Sequence, residues 1–112
     1  MASCSTVGAR AESQDLVGRW RSTDERHVAE FAFLGNGTFS GFVAGEGSLV
    51  SQFTGKWRLR DGSILYEYTG DKMGRIPAGT RDRDKLLRIS QDYFVIQSAD
   101  GRVRKYVRVS GG

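Results

Sequence analysis

The residues of this chain whose types could do covalent or acid–base chemistry are few and far apart. Across 112 residues there is one histidine, His27, and one cysteine, Cys4. A zinc centre draws its ligands from several Cys and His side chains, and a Ser-His-Asp nucleophile needs a histidine oriented by a carboxylate. A single histidine at the start of a strand pattern supplies neither. Glu30 and Glu67 lie within strand patterns, but both fall on outward positions, so their spacing does not bring them together as an acid–base pair. No glycine-rich phosphate-cradling loop is present. These residues point to a protein that is not an enzyme and that carries no cofactor and no metal.

Binding chemistry is better represented. The stretch from Gly70 to Asp84, GDKMGRIPAGTRDRD, combines the only proline with two apolar and four basic side chains. Irregular segments of this length are uncommon in compact domains and are often functional. Lys72, Met73, Arg75, Ile76, Arg81 and Arg83 are therefore the candidate ligand-binding residues. They would suit a small molecule with an apolar body and an acidic head, through burial of the body and attraction of the head. The competing reading is an extended hairpin in which part of Thr80 to Lys85 is strand, solvated by alternating charges.

The elements that must position these residues are short strands. Fifteen glycines beside one proline imply many tight turns, and no long stretch repeats apolar residues at helical spacing. Asn36-Gly37, Asp61-Gly62 and Asp100-Gly101 each carry a pair favoured by type I′ hairpins. Between the turns, apolar and polar residues alternate with period two. Strands are expected over residues 17–23, 28–34, 38–44, 49–60 and 63–69, then one ending at Leu87 and Ile89, then 93–98 and 102–109. The fourth is the clearest, with Phe53, Gly55, Trp57 and Leu59 opposite Gln52, Thr54, Lys56 and Arg58. Consecutive strands on short turns make an all-β antiparallel up-and-down meander of about eight strands. Closure into a barrel, with the first strand pairing the last, leaves no long free edge; a two-sheet sandwich is the alternative. Interior aromatics such as Phe33, Phe53, Trp57 and Tyr66 would either line a pocket or fill the barrel solid.

Length and composition set the remaining bounds. One domain is expected over residues 16–110, preceded by a flexible tether over 1–15. One cysteine excludes an intrachain disulfide, and no run approaches the ~20 apolar residues of a membrane span. The net charge is +4. Its arginines are dispersed along the chain rather than gathered with exposed aromatics, which argues against nucleic acid as the partner. The expected partner is a small molecule or another protein, bound by a monomer.

Leu16-Val17-Gly18-Arg19-Trp20 opens the first strand with a Gly-x-Trp, and Tyr106-Val107-Arg108 stands on the last. Between them run Phe33-x-x-x-Gly37-Thr38-Phe39, Gly55-x-Trp57 and Asp100-Gly101. This order resembles the small bacterial lipocalin-like (calycin-type) barrels, over about residues 16–109. The resemblance implies that Gly18, Trp20, Tyr106 and Arg108 close the barrel floor, with the basic side chain stacked across the indole. It implies a binding module; barrels of this shape also serve as protein inhibitors acting through surface loops. Ala2-Ser3-Cys4-Ser5 also resembles the end of a bacterial lipoprotein processing site, although Met1 stands where that site has an aliphatic residue. That likeness implies lipidation at Cys4, contact with a membrane only through the acyl chain, and a periplasmic or outer-membrane-anchored location. The alternative is a cytoplasmic protein with an incidental Ala-Ser-Cys.

Overall fold

A computed structural model describes residues 6–24 and 26–110, and at Ser110 the backbone alone. Cys4, with the lipidation assigned to it, lies outside the described residues. Nine strands run in chain order: β1 (Thr6–Val7), β2 (Gly18–Thr23), β3 (His27–Phe33), β4 (Thr38–Gly45), β5 (Ser48–Arg60), β6 (Ser63–Asp71), β7 (Arg81–Ile89), β8 (Tyr93–Ser98) and β9 (Val103–Ser110). Strands β2 to β9 pair antiparallel in sequence order, and β2 then pairs with β9, with Trp20 opposite Arg108. The chain is thus a closed eight-stranded antiparallel barrel with one extra strand, β1, and not a sandwich.

Turn chemistry sets the register. At Asp61-Gly62 both residues adopt positive φ, 52° and 76°, which is the type I′ backbone that Asp-Gly favours. Glu46-Gly47 does the same, with φ of 53° and 79°. Asn36-Gly37 and Asp100-Gly101 differ from that expectation: only their glycines have positive φ. A left-handed glycine of this kind ends a looser hairpin loop.

The inward side of every strand carries the core. Trp20, Phe33, Phe39 and Phe94 are almost completely buried, and the rings touch one another in a continuous network. Phe31 lies within 5.3–6.1 Å, centroid to centroid, of Phe33, Phe39, Phe53, Tyr66 and Tyr106. Two strand glycines make room for this density. A Cβ at Gly41 would come within 2.7 Å of the Phe53 ring, and one at Gly55 within 2.6 Å of the Phe39 ring. The aromatics therefore fill the middle of the barrel.

One end of the barrel is sealed. A single helical turn, α1 (Ser13–Leu16), begins at Glu12 with a capping box, in which Glu12 and Asp15 each accept the other's backbone N–H. It places Leu16, fully buried, beneath Trp20, whose indole N–H donates to the Leu16 carbonyl at 2.9 Å. The Arg108 guanidinium lies 4.0 Å above the indole and donates to the carbonyls of Gln91, Val17 and Asp15. It thus ties β9 to the segment that enters β2. Tyr106, the inward neighbour on β9, stacks on Phe94 at 4.9 Å, and Phe94 meets Trp20 edge-on.

The segment expected as a tether departs from that expectation after residue 5. Thr6 and Val7 pair with Ile89 and Arg88 on β7, where β6 no longer reaches. Gly8 is buried against the Leu86 backbone, so closely that no Cβ fits. The sequence shows no periodicity here because the contacts are made by backbone and by one buried leucine.

Candidate site at the barrel mouth

The end opposite Trp20 is open. It is framed by the β2–β3 connection, the turns at Glu46-Gly47 and Asp100-Gly101, and the segment joining β6 to β7. The joining segment is where the sequence placed a basic ligand-binding loop. The structure does not bring those six residues together. Asp71, at the end of β6, instead gathers the segment into a tight turn. Its carboxylate accepts bonds from the Ser51 hydroxyl at 2.7 Å and from the backbone N–H of Gln52, Met73, Arg75 and Ile76 at 2.9–3.2 Å. Partial desolvation opposes its ionisation, but these donors outweigh it and pull the Asp71 pKa down to about 2. Lys72, Met73 and Arg75 are left in solvent, while Ile76 turns back against the core.

Arg81 and Arg83 belong to β7, which begins at Arg81, so the extended-hairpin reading describes this segment better than the lid. On a strand the side chains alternate between faces. Leu86 points into the core, and Asp84 and Asp82 share its side, whereas Arg81 and Arg83 point outward. The RDRD run thus turns its carboxylates into the mouth and its guanidiniums to the outer wall.

Inside the mouth is a cavity of about 230 Å³. Its floor is Phe31, Tyr66, Tyr68, Ile96 and Tyr106; its rim is Asp82, Asp84, Ser98, Asp100, Arg102 and Arg104. Burial pushes the Asp84 pKa up to about 6, reinforced by Asp82 and Asp100, against the hydrogen bond from Tyr66 and the nearby Arg104. Desolvation and like charge prevail over the Tyr66 hydrogen bond and Arg104, so the field at this carboxyl is unfavourable to its own ionisation. Burial, with Asp84 next, raises the Tyr66 hydroxyl well above its ordinary range, and burial pushes Tyr106 up to about 12. The tyrosines are therefore neutral hydrogen-bonding groups at any physiological pH. Asp100 is engaged at the rim by the Ser98 hydroxyl and by Arg102, whose Nε lies at 3.5 Å. Among the described residues no three His, Cys, Asp or Glu side chains gather as a metal site.

The other sequence candidates lie elsewhere. Glu30 is outward, as the alternation places it, yet only 4% exposed. Arg19 at 2.6 Å and Arg21 at 2.9 Å cover it. Burial opposes its charge, but the two guanidiniums hold its carboxyl below the usual range. Glu67 sits on the outer face of β6, and His27 is exposed near Asp24, at 3.7 Å. The mouth residues Tyr68, Asp82, Asp84 and Arg104 were not singled out by sequence reasoning. Continuing the two-residue period of Leu86 backwards through Asp84 and Asp82 would have found two of them.

No family model matches the chain, and no curated protein resembles it in sequence. Among solved structures it is similar to a protein from Bacteroides thetaiotaomicron VPI-5482 determined by NMR. The TM-score is 0.66 at 15% identity, over 88% of this chain and 93% of that one. At that identity the likeness establishes the shared barrel fold.

Proposed function

We propose that this chain is a non-catalytic binding module whose barrel mouth receives the cationic end of a small ligand. One observation carries the reading: Asp84 is held inside the mouth, beside Asp82, over a floor of tyrosine and phenylalanine rings. An ammonium group there would neutralise a carboxylate that is otherwise poorly solvated, and would lie against aromatic faces that attract cations. A volume of about 230 Å³ suits an end group and a few carbons, below the ~300 Å³ at which whole-ligand pockets begin. The amphipathic anion expected from the basic loop is disfavoured, because the arginines that motivated it face away.

Kinship with the calycin-type barrels is part of this proposal. It is supported by Gly18-x-Trp20, the stacked Arg108 and the closed meander. Carriage on an acyl chain at Cys4, in an envelope compartment, is supported by the Ala2-Ser3-Cys4-Ser5 motif. Mass spectrometry of the protein from a bacterial membrane fraction would reveal or exclude the acyl chain.

Calorimetric titration with n-butylammonium and with octanoate tests the ligand class. Butylammonium is expected to bind at pH 7, to weaken as the pH falls through about 6 where Asp84 protonates, and to be lost in Asp84→Asn. Octanoate binding at the mouth, with no response to the amine, would refute the reading.

A further inference from the structure

The outer wall opposite the mouth carboxylates has its own pattern. On β5, β6 and β7 three cross-strand rows lie side by side: Lys56, Glu67 and Arg81; Arg58, Leu65 and Arg83; Arg60, Ser63 and Lys85. These nine positions hold six cations and one carboxylate, a net +5 against +4 for the whole chain, so the rest of the molecule is close to neutral. Four arginines and two lysines that lie in separate stretches of the sequence are brought by the fold onto one face.

The face is also shaped. The central strand carries the shorter side chains Ser63, Leu65 and Glu67, and the long cations stand on either side. A groove of about 650 Å³ results, with Leu65 in its floor, Lys56 and Arg58 on one wall and Arg81 and Arg83 on the other. Glu67 is contacted by Arg81 at 3.8 Å, yet the Arg81 side chain remains 82% exposed. The side chains of Lys56, Arg58, Arg83 and Lys85 are exposed and make no ion pair with a carboxylate among the described residues. Four like charges on β5 and β7, on either side of β6, repel one another in the isolated protein, and an anionic occupant would relieve the repulsion.

We propose that this groove docks an extended acidic segment of a partner protein. Within each wall the cations repeat every two residues, about 6.8 Å, which is the same-side repeat of an extended peptide. The walls stand two strands apart, about 10 Å. A single extended chain between them would send alternate side chains to each wall. Leu65 gives the aliphatic stems of glutamates an apolar contact. A single-stranded nucleic acid would want aromatic platforms for its bases, and none of the nine outer positions is aromatic. A bilayer would meet the tops of both walls and leave the recessed floor empty. The inference is independent of the mouth: a partner can dock here whether or not the mouth takes a ligand.

The test is fluorescence anisotropy with a labelled glutamate-rich decapeptide, alongside a glutamine analogue, a single-stranded oligonucleotide of equal charge and vesicles containing phosphatidylserine. The acidic peptide is expected to bind in a salt-dependent manner and the glutamine analogue not to bind. Arg58→Glu with Arg83→Glu should weaken binding at least tenfold. Arg26→Glu with Lys105→Glu, an equal charge change just before β3 and on β9, strands that do not border the groove, should leave it within about twofold. All four side chains are exposed, and matching thermal unfolding curves would verify that each variant is folded. Failure of the peptide to bind, equal loss in both double variants, or tighter binding of the oligonucleotide or the vesicles would overturn the proposal.

Discussion

Asp84 and Glu30 are both carboxylates at strand positions, and their surroundings drive them in opposite directions. Asp84 has a folded pKa of about 6 against an ordinary 3.8. Its native state holds the proton more tightly than the unfolded chain, so it costs stability above pH 6, and the cost disappears as the pH falls below about 4. Two units correspond to ~3 kcal/mol at ~1.4 kcal/mol per unit. Solvent access at the mouth reduces this, so Asp84→Asn should stabilise the fold at pH 7 by about 1–2 kcal/mol and by nothing near pH 4; urea unfolding at the two pH values would show it. Glu30 is the reverse case. Its pKa is lowered by Arg21 and Arg19, so its contribution is present above the ordinary glutamate range and is lost as the pH falls through the depressed value. Glu30→Gln removes charge-assisted bonds whose guanidiniums can turn to water, and should lower stability by about 1–2 kcal/mol. That Glu30 faces outward was legible from its neighbours Ala29 and Phe31. Its burial was not, because it comes from two arginines on the adjacent strand β2.

At the scale of elements, legibility followed apolar contrast. Where one face is apolar and the other polar, as in β5, alternation alone marks the strand and its sides. The first half of β7 has the same period, but both faces are charged, so the contrast vanishes and the segment reads as irregular. The turn before it depends on one carboxylate, Asp71, receiving four backbone N–H groups from residues up to nineteen positions away; no local pattern announces that. Asp71→Ala should free these amides, and hydrogen exchange at Met73 and Ile76 should accelerate while the amides of β8 keep their protection. The first strand and its following turn were hidden for a related reason, since backbone contacts leave little trace in hydropathy. Gly8→Ala would force a Cβ into the Leu86 backbone and should lower the urea midpoint clearly. An unchanged midpoint would mean that residues 6–10 are a tether after all.

Over the whole molecule, the fold divides the barrel into a sealed floor, an aromatic middle and a polar mouth. The floor was legible through a resemblance carried by its Gly-x-Trp and the arginine at the other end of the sequence, which closure brings together. Trp20→Ala should cost about 3–5 kcal/mol, the usual range for truncating a buried aromatic, read from the shift in thermal or urea unfolding. The mouth was not legible, because its carboxylates alternate with arginines in the run Arg81-Asp82-Arg83-Asp84, where no apolar residue marks which side faces inward. Charges of opposite sign are separated by one strand thickness, acidic inside β7 and basic outside, so the two faces of one strand serve different chemistry. The most direct test of the mouth as a cation site is the carboxyl carbon resonance of Asp84, followed by NMR across pH with and without n-butylammonium. The free protein should titrate at about 6, and the amine should lower that value, because a bound cation favours the ionised carboxylate. A midpoint near 4 that the amine does not move would contradict the account.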